Sequence, residues 1–68
     1  MPEAHGRVAA YDSRRGLGVI EADDGTPIGF HCTAIADGSR DIPVGAPVTF
    51  RVAPGHLGAW EATAIRPT

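Results

Sequence analysis

Apolar and polar residues alternate along several short stretches of the chain, and no stretch sustains a helical period. The clearest alternation runs over residues 48–52, where polar residues separate Val48, Phe50 and Val52. Because successive side chains of a strand point to opposite faces, this pattern predicts a β-strand with one buried face. The same criterion predicts five strands, at residues 6–11, 16–22, 28–32, 48–52 and 59–65.

Glycine, proline and aspartate cluster between these stretches and mark the turns. The cluster DDGTP at residues 23–27 is the strongest turn signal, with Gly25 where a positive φ is expected. Residues 33–35 are predicted to form one helical turn with Thr33 as its N-cap. Further turns are predicted at residues 12–15 and 54–58.

Five short strands with a longer connection between the third and the fourth predict an all-β fold. The expected architecture is a small, closed antiparallel barrel with a short helical turn after the third strand. Closure removes the open edges that a sheet of this size can hardly leave exposed. One domain would span residues 1–68. The alternation predicts a core of Val8, Gly18, Ile20, Ile28, Phe30, Val48, Phe50 and Val52.

The composition favours a single small globular domain. The chain has 68 residues, is 43% hydrophobic and 21% charged, and contains nine glycines and six prolines. A chain of this length buries only about 60% of the surface that its unfolded form exposes, which leaves little room for a catalytic cleft with supporting layers. We therefore expect no enzymatic activity and no cofactor.

Charge and cysteine content bear on the partner and the compartment. The net charge is −2 and all six basic residues are arginines, which argues against tight binding of a polyanion but allows a local basic stripe. Cys32 is the only cysteine, so no disulfide can form within the chain, as in proteins of a reducing compartment. With no apolar leader after Met1 and no run long enough to span a membrane, we expect a cytoplasmic protein with no membrane partner.

The histidines and the cysteine form no metal-binding pattern. The spacings of His5, His31, His56 and Cys32 fit no recognised set of ligands. The acidic pair at residues 23–24 is explained by turn formation, because aspartate accepts local backbone hydrogen bonds. We expect neither a metal site nor a catalytic pair of carboxylates.

The segment RGLGVI at residues 15–20 has the most informative pattern. As a strand, it places Leu17 and Val19 on one face and Gly18 and Ile20 on the other. The second pair would belong to the core, whereas apolar side chains on a water-facing wall indicate a contact surface. The alternative is that Gly18 merely permits tight packing of the barrel.

Several segments together resemble the bacterial cold-shock domain, and the resemblance spans Gly6 to Pro67. That family begins G-x-V-x-W-F-N, continues with K-G-[FY]-G-F-I and then has V-F-V-H-F-S-A-I. The corresponding segments here are GRVAAYD (residues 6–12), RGLGVI (15–20) and IGFHCTAI (28–35), followed by GAPVTFRV (45–52) and IRP (65–67). The resemblance implies a five-stranded oligonucleotide-binding (OB) barrel that binds single-stranded RNA or DNA.

The chain departs from the family pattern on the binding face, where most aromatic side chains are missing. Stacking of a base on an aromatic ring is worth about 1–3 kcal/mol, so the loss of about four or five rings predicts sequence-tolerant binding in the high micromolar range or weaker. A ring is kept at Tyr11 and His31, whereas the other family aromatics fall on Ala10, Leu17, Val19, Gly29 and Cys32.

The candidate contacts for a nucleic-acid strand combine cations, rings and aliphatic side chains. Arginines would neutralise phosphates, while Tyr11 and His31 would stack on bases. His31 can equally be an ordinary exposed histidine, and Trp60 either packs at the core or rim or serves as a substitute platform. Cys32 should point away from His31 as a small buried hydrophobe. The candidate set is Arg7, Tyr11, Arg15, Leu17, Val19, His31 and Trp60.

A protein-interaction module is the alternative function. Ala10, Leu17 and Val19 would form an aliphatic patch on an acidic protein, which fits a protein partner or a second copy of the chain better than a polyanion. The retained glycines and Arg15 favour the nucleic-acid hypothesis.

Overall fold

The computed structural model describes residues 3–38, 41–55 and 60–68, which contain five strands and one short helical turn. The turn is a 3₁₀ helix, Cys32–Ala34, that directly follows the third strand. Within the described ranges, no helix has the length and apolar character needed to cross a membrane. In chain order the strands are β1 (Ala4–Asp12), β2 (Leu17–Ala22), β3 (Pro27–His31), β4 (Pro47–Pro54) and β5 (Trp60–Pro67).

The strands close into a barrel in the order β1-β2-β3-β5-β4, and β4 returns to pair with β1. The β1–β2, β2–β3, β1–β4 and β4–β5 pairings are antiparallel. The remaining contact is parallel and joins β3 to β5 through Gly29 and Glu61. The predicted five-stranded, all-β barrel of the OB type is confirmed, and its parallel closure brings β5 alongside the β2–β3 pair.

Hydrophobic side chains from all five strands fill the barrel. Cys32, Ile35 and Ile42, which lie between β3 and β4, complete the core, and no described polar or charged residue is buried. Two predicted core residues, Gly18 and Val52, are only half-buried. The other predicted core residues are buried, namely Val8, Ile20, Ile28, Phe30, Val48 and Phe50.

The ring of Phe30 requires a glycine at position 18. Gly18 is the Cα partner of Phe30 on β3 and of Tyr11 on β1. A Cβ added at Gly18 would lie 2.5 Å from Cζ of Phe30 and 2.8 Å from the carbonyl oxygen of Ala10, well inside contact distance. Because position 18 has no side chain, Tyr11 and Phe30 stack across it with ring centroids 5.8 Å apart and ring planes 1° from parallel.

A β-bulge in β1 determines the direction of Tyr11. One residue, Ala9, lies between Val8 and Ala10, whereas the partners of Val8 and Ala10 on β2 are consecutive. An extra residue in one strand reverses the alternation of side chains beyond it. Tyr11 therefore points to the core side, where it is half-buried against Phe30.

The helical turn begins one residue earlier than the sequence predicts. It starts at Cys32, and its N-cap is His31 rather than Thr33, because the His31 ring accepts a hydrogen bond from the Thr33 N–H. The prediction of Thr33 as the cap was therefore wrong. Most of the predicted turn at residues 54–58, and the predicted strand start at Ala59, lie outside the described residues.

The turn predicted at residues 23–27 forms between β2 and β3. Gly25 has a φ of +90°, a left-handed conformation that glycine adopts without strain. The backbone N–H of Thr26 donates a 2.9 Å hydrogen bond to the Asp24 carboxylate. This bond stabilises the charged form and holds the pKa of Asp24 below its ordinary value.

Replacing Gly18 with alanine should destabilise the barrel, because the new methyl group collides with the Phe30 ring and the strand backbone. We expect Gly18→Ala to lower the free energy of unfolding by about 1–3 kcal/mol. Gly29→Ala is the matched control, since a Cβ there meets only the Gly18 carbonyl oxygen at 3.9 Å. Urea unfolding followed by circular dichroism measures both variants, and equal midpoints for the two would contradict the packing role of Gly18.

Candidate nucleic-acid interface

Three of the candidate residues share the outer face of the β2–β3 pair. Leu17 and His31 are Cα partners across the two strands, and Val19 lies opposite Gly29 one step further along. Leu17 is 49% exposed, His31 is exposed and Val19 is half-buried. The alternation of β2 thus places Leu17 and Val19 on the face opposite to the Phe30 ring, as predicted.

Trp60 extends this face onto β5. Its side chain is 64% exposed, although it is the largest apolar side chain in the protein. Trp60, Leu17 and His31 line one groove of about 720 Å³, which is within the roughly 300–1,000 Å³ of small-ligand clefts. The sequence leaves two interpretations of Trp60: packing at the core or rim, or a substitute platform for stacking. Its exposure in this groove fits the second.

Gly29 leaves open space in the middle of the groove. An added Cβ at this position would meet only one atom within 4 Å, the Gly18 carbonyl oxygen at 3.9 Å. The family pattern has an aromatic residue here, so its absence turns a raised platform into a recess. Glu61, the Cα partner of Gly29 on β5, lines the same groove and is half-buried.

Arg15 lies at the end of the outer face, in the turn between β1 and β2. The Asp12 carboxylate orders this turn by accepting hydrogen bonds from the backbone N–H groups of Arg14 (3.0 Å) and Arg15 (3.3 Å). The Arg15 side chain is 76% exposed, and its Nε lies 3.9 Å from Oδ2 of Asp12. An exposed pair at this distance is weak, so the guanidinium can reach a phosphate.

Two candidate residues lie away from the groove. Tyr11 points to the core side because of the bulge at Ala9. Arg7 is exposed but is the Cα partner of Glu21, at the opposite end of β2 from Leu17. The structure therefore brings together Leu17, Val19, His31 and Trp60, places Arg15 at their edge, and separates Arg7 and Tyr11 from them.

Cys32 is buried beneath the β1–β2 turn, as expected for a small hydrophobe. It is 7% exposed, and its N–H donates a 2.7 Å hydrogen bond to the carbonyl oxygen of Gly16. Gly16 has a φ of +67°, and a Cβ there would lie 2.7 Å from the Cys32 sulfur. The turn and the 3₁₀ helix are thus packed directly against each other.

The orientation of the His31 ring is set by its capping bond. Nδ1 accepts a hydrogen bond from the Thr33 N–H at 3.2 Å and lies 2.9 Å from the Thr33 hydroxyl. The Cys32 sulfur is further away, at 3.8 Å. Because a backbone N–H can only donate, Nδ1 carries no hydrogen in the neutral ring, and Nε2 carries it instead.

Sequence reasoning missed Gly29, Glu61 and Thr33 as parts of the site. The only local signal for Glu61 was its position next to Trp60, and its place opposite Gly29 depends on the parallel β3–β5 contact. Within the described ranges, no group of three histidine, cysteine, aspartate or glutamate side chains is arranged to hold a metal ion.

The capping bond predicts a single tautomer for His31. In long-range ¹H–¹⁵N spectra above the pH at which the ring is charged, we expect Nε2 to be protonated and Nδ1 to be bare. His5, which is exposed on β1, serves as the reference within the same spectrum and should show a mixture of tautomers. A protonated Nδ1 in neutral His31 would contradict the capping geometry.

Comparison with known proteins gives the family. No protein-family model matches the chain. It is 29% identical to cold shock protein CspD of Bacillus subtilis over 63 residues, which is 91% of this chain and 96% of the relative. Cold shock protein CspB of Geobacillus stearothermophilus is also 29% identical, over 90% of this chain and 94% of its own length. Because cold shock-like protein CspC of Bacillus cereus is 32% identical over 90% of this chain and 95% of the relative, the chain belongs to the cold-shock protein family.

Proposed function

We propose that this protein binds single-stranded RNA or DNA weakly, through the outer face of β2 and β3 and the groove that Trp60 borders. Membership of the cold-shock family supports the ligand class, and β2 and β3, which pair side by side, carry most of the RGLGVI and IGFHCTAI segments that correspond to the family pattern. The proposed interface differs from the family pattern in the residues that supply the contacts.

The observation that carries the proposal is the grouping of Leu17, His31 and Trp60 around one groove. Trp60 is 64% exposed and Leu17 is 49% exposed, and large apolar side chains that are grouped on a surface mark a contact site. An indole ring offers a flat face on which any base can stack, worth about 1–3 kcal/mol. Trp60 thus replaces one of the platforms that the chain lacks on β2 and β3.

The remaining contacts favour low affinity. Leu17 and Val19 provide apolar contact but no ring, and Tyr11 stacks on Phe30 instead of facing a ligand. One indole and one imidazole replace the larger set of aromatics in the family pattern. We therefore expect a dissociation constant in the high micromolar range or above (on the order of 10⁻⁴ M).

Charge also limits the affinity. Arg15 is the cation nearest to the groove among the candidate residues, and the carboxylate of Asp12 lies 3.9 Å from it. Arg7 is at the far end of β2, where Glu21 is its neighbour. Only about two or three phosphates would be neutralised, so salt should weaken binding modestly.

The protein-interaction alternative uses the same exposed leucine. Ala10 and Leu17 are exposed, but Val19 is half-buried, so the aliphatic patch is smaller than the sequence suggests. The aromatic groove next to it favours a flat ligand. Sedimentation equilibrium over a wide concentration range distinguishes the two functions, because self-association without any response to a strand would support the alternative.

Binding to a mixed-sequence heptanucleotide that contains all four bases tests the proposal. The chain has a single tryptophan, so a change in its emission at low salt reports contact at the groove directly. With a fluorescein-labelled strand, Trp60→Ala should weaken binding at least about fivefold, because a stacking contact is lost. Val44→Ala is the control, since Val44 is 63% exposed but does not line the groove. No change in emission or anisotropy up to millimolar strand would overturn the proposal.

The salt dependence of the same titration tests the placement of the arginines. For two or three single-strand phosphate contacts, log K should fall with log salt with a slope of about −1.4 to −2.1. Arg15→Gln should make the slope shallower by about 0.7, whereas Arg51→Gln, on the exposed face of β4, should leave it unchanged. A slope that indicates six or more contacts would show that other arginines bind the strand.

A further inference from the structure

We infer that His31 is a proton-operated switch in the groove: when its ring takes up a second proton, the capping bond to Thr33 ends and the charged ring holds one phosphate of the strand. The inference rests on the proposed function and adds a dependence on pH to the same site. Three features carry it: Nδ1 is the acceptor of the capping bond, a hydroxyl lies close enough to replace that bond, and the ring lies at the wall of the groove.

The capping bond exists only while the His31 ring is neutral. Nδ1 accepts it from the Thr33 N–H at 3.2 Å, and a ring nitrogen that carries a hydrogen can only donate. The second proton of an imidazole goes to the bare nitrogen, which here is Nδ1. Charging the ring therefore breaks this bond and leaves the Thr33 N–H to water.

The Thr33 hydroxyl offers the charged ring a replacement bond. Its oxygen lies 2.9 Å from Nδ1 of His31, and a hydroxyl can rotate so that it accepts or donates. A hydrogen bond from a charged donor is roughly twice as strong as one between neutral groups. The ring can therefore exchange one partner on Thr33 for the other without leaving its place in the groove.

The ring lies where a bound strand would pass. His31 is exposed, is the Cα partner of Leu17 and lines the groove together with Trp60. Its Nε2 lies 3.9 Å from the position that a Cβ on Gly16 would occupy, so the ring reaches from the 3₁₀ helix to the β1–β2 turn. Because that turn carries Arg15, a charged His31 ring would be a second cation at the same end of the groove.

The titratable groups around the ring come from three elements and have both signs. The Cys32 thiol of the 3₁₀ helix lies 3.8 Å from Nδ1. Glu61 of β5 lines the groove, but its side chain packs against the end of β4. No carboxylate in the described ranges lies within ion-pair distance of the His31 ring, so a phosphate can serve as its counter-ion. The charged residues of the β1–β2 turn are Asp12, Arg14 and Arg15.

The charged ring should add one phosphate contact and leave the base contacts unchanged. One contact to a single strand steepens the fall of log K with log salt by about 0.7. Histidine side chains ordinarily change charge between about pH 5 and 8. At low salt we therefore expect the strand to bind at least about threefold more tightly at about pH 5.5 than at about pH 7.5, with this steeper slope at the lower pH.

Titration of a rhodamine-labelled uridine heptamer at the two pH values tests the inference, because neither uracil nor the label titrates in this range. The chain contains three histidines, so three variants assign the effect. His31→Gln should abolish both the rise in affinity and the steeper slope. His5→Gln should keep them, since His5 lies on β1 and does not line the groove. His56→Gln, outside the described residues, should also keep them.

Two substitutions of Thr33 test the exchange of hydrogen bonds. Thr33→Ser keeps the hydroxyl and should leave the rise in affinity at the same pH. Thr33→Val has a similar shape but no hydroxyl, so the charged ring loses its stronger bond and the rise should move to a lower pH. In the wild-type protein, the amide proton of Thr33 should shift upfield over the pH range of the rise, because its hydrogen bond is lost.

The outcomes separate this inference from the proposed function. If the heptamer binds equally at both pH values, or if His31→Gln keeps the rise in affinity, the inference is wrong and the proposed function stands. A rise that disappears in His5→Gln or His56→Gln would belong to another histidine and would also overturn the inference, as would a Thr33 amide that does not respond to pH. If the heptamer binds at neither pH, both the inference and the proposed function are wrong.

Discussion

The ring of Phe30 can enter the barrel only because position 18 has no side chain, and this contact fixes the orientation of β2 and β3. Tyr11, Gly18 and Phe30 lie side by side on the adjacent strands β1, β2 and β3. All three face the interior of the barrel, where the Tyr11 and Phe30 rings stack. Side chains alternate strictly along a strand, so Leu17 and His31 must then point outward. A shift of one residue in the register of β2 would turn Leu17 into the core and would remove its wall of the groove.

The groove combines two chemical environments, which the strand of the proposed function would meet differently. Its walls are apolar and aromatic, and they offer contact to the flat faces of bases. Its charged neighbours are of both signs, with Arg15 in the turn and Glu61 beside the recess. Affinity that comes mostly from base contacts and little from phosphates is expected to be low but comparatively insensitive to salt. Affinity that depends on base contacts more than on phosphate contacts fits a protein whose net charge is −2.

Local patterns predicted the barrel well, because alternation and turn residues act over a few positions. The inward direction of Phe30 and the outward direction of Leu17 both follow from the period of two in β2 and β3. Tyr11 was placed with the ligand contacts because a β-bulge has no reliable signature, and one extra residue at Ala9 reverses the face.

The parts of the site that come from β5 could not be derived in the same way. Trp60 and Glu61 reach Gly29 through a parallel contact between strands that are about 30 residues apart in the chain. Alternation within β5 predicts which of its residues share a face, but it does not predict which strand pairs with β5. The capping role of His31 was also missed, since threonine is among the residues preferred as N-caps and histidine is not, whereas here the His31 ring accepts the hydrogen bond from the Thr33 N–H.

The buried sulfur of Cys32 gives the domain a built-in reporter of local opening. Gly16 packs closely on the sulfur and Cys32 is only 7% exposed, so an alkylating reagent should react slowly while the β1–β2 turn rests on the 3₁₀ helix. Reaction would proceed mainly when these two segments separate, so its rate under native conditions would follow how often they do. Because the turn also carries Arg15, thiol accessibility would follow the motion of the cationic end of the groove without any label on the binding face.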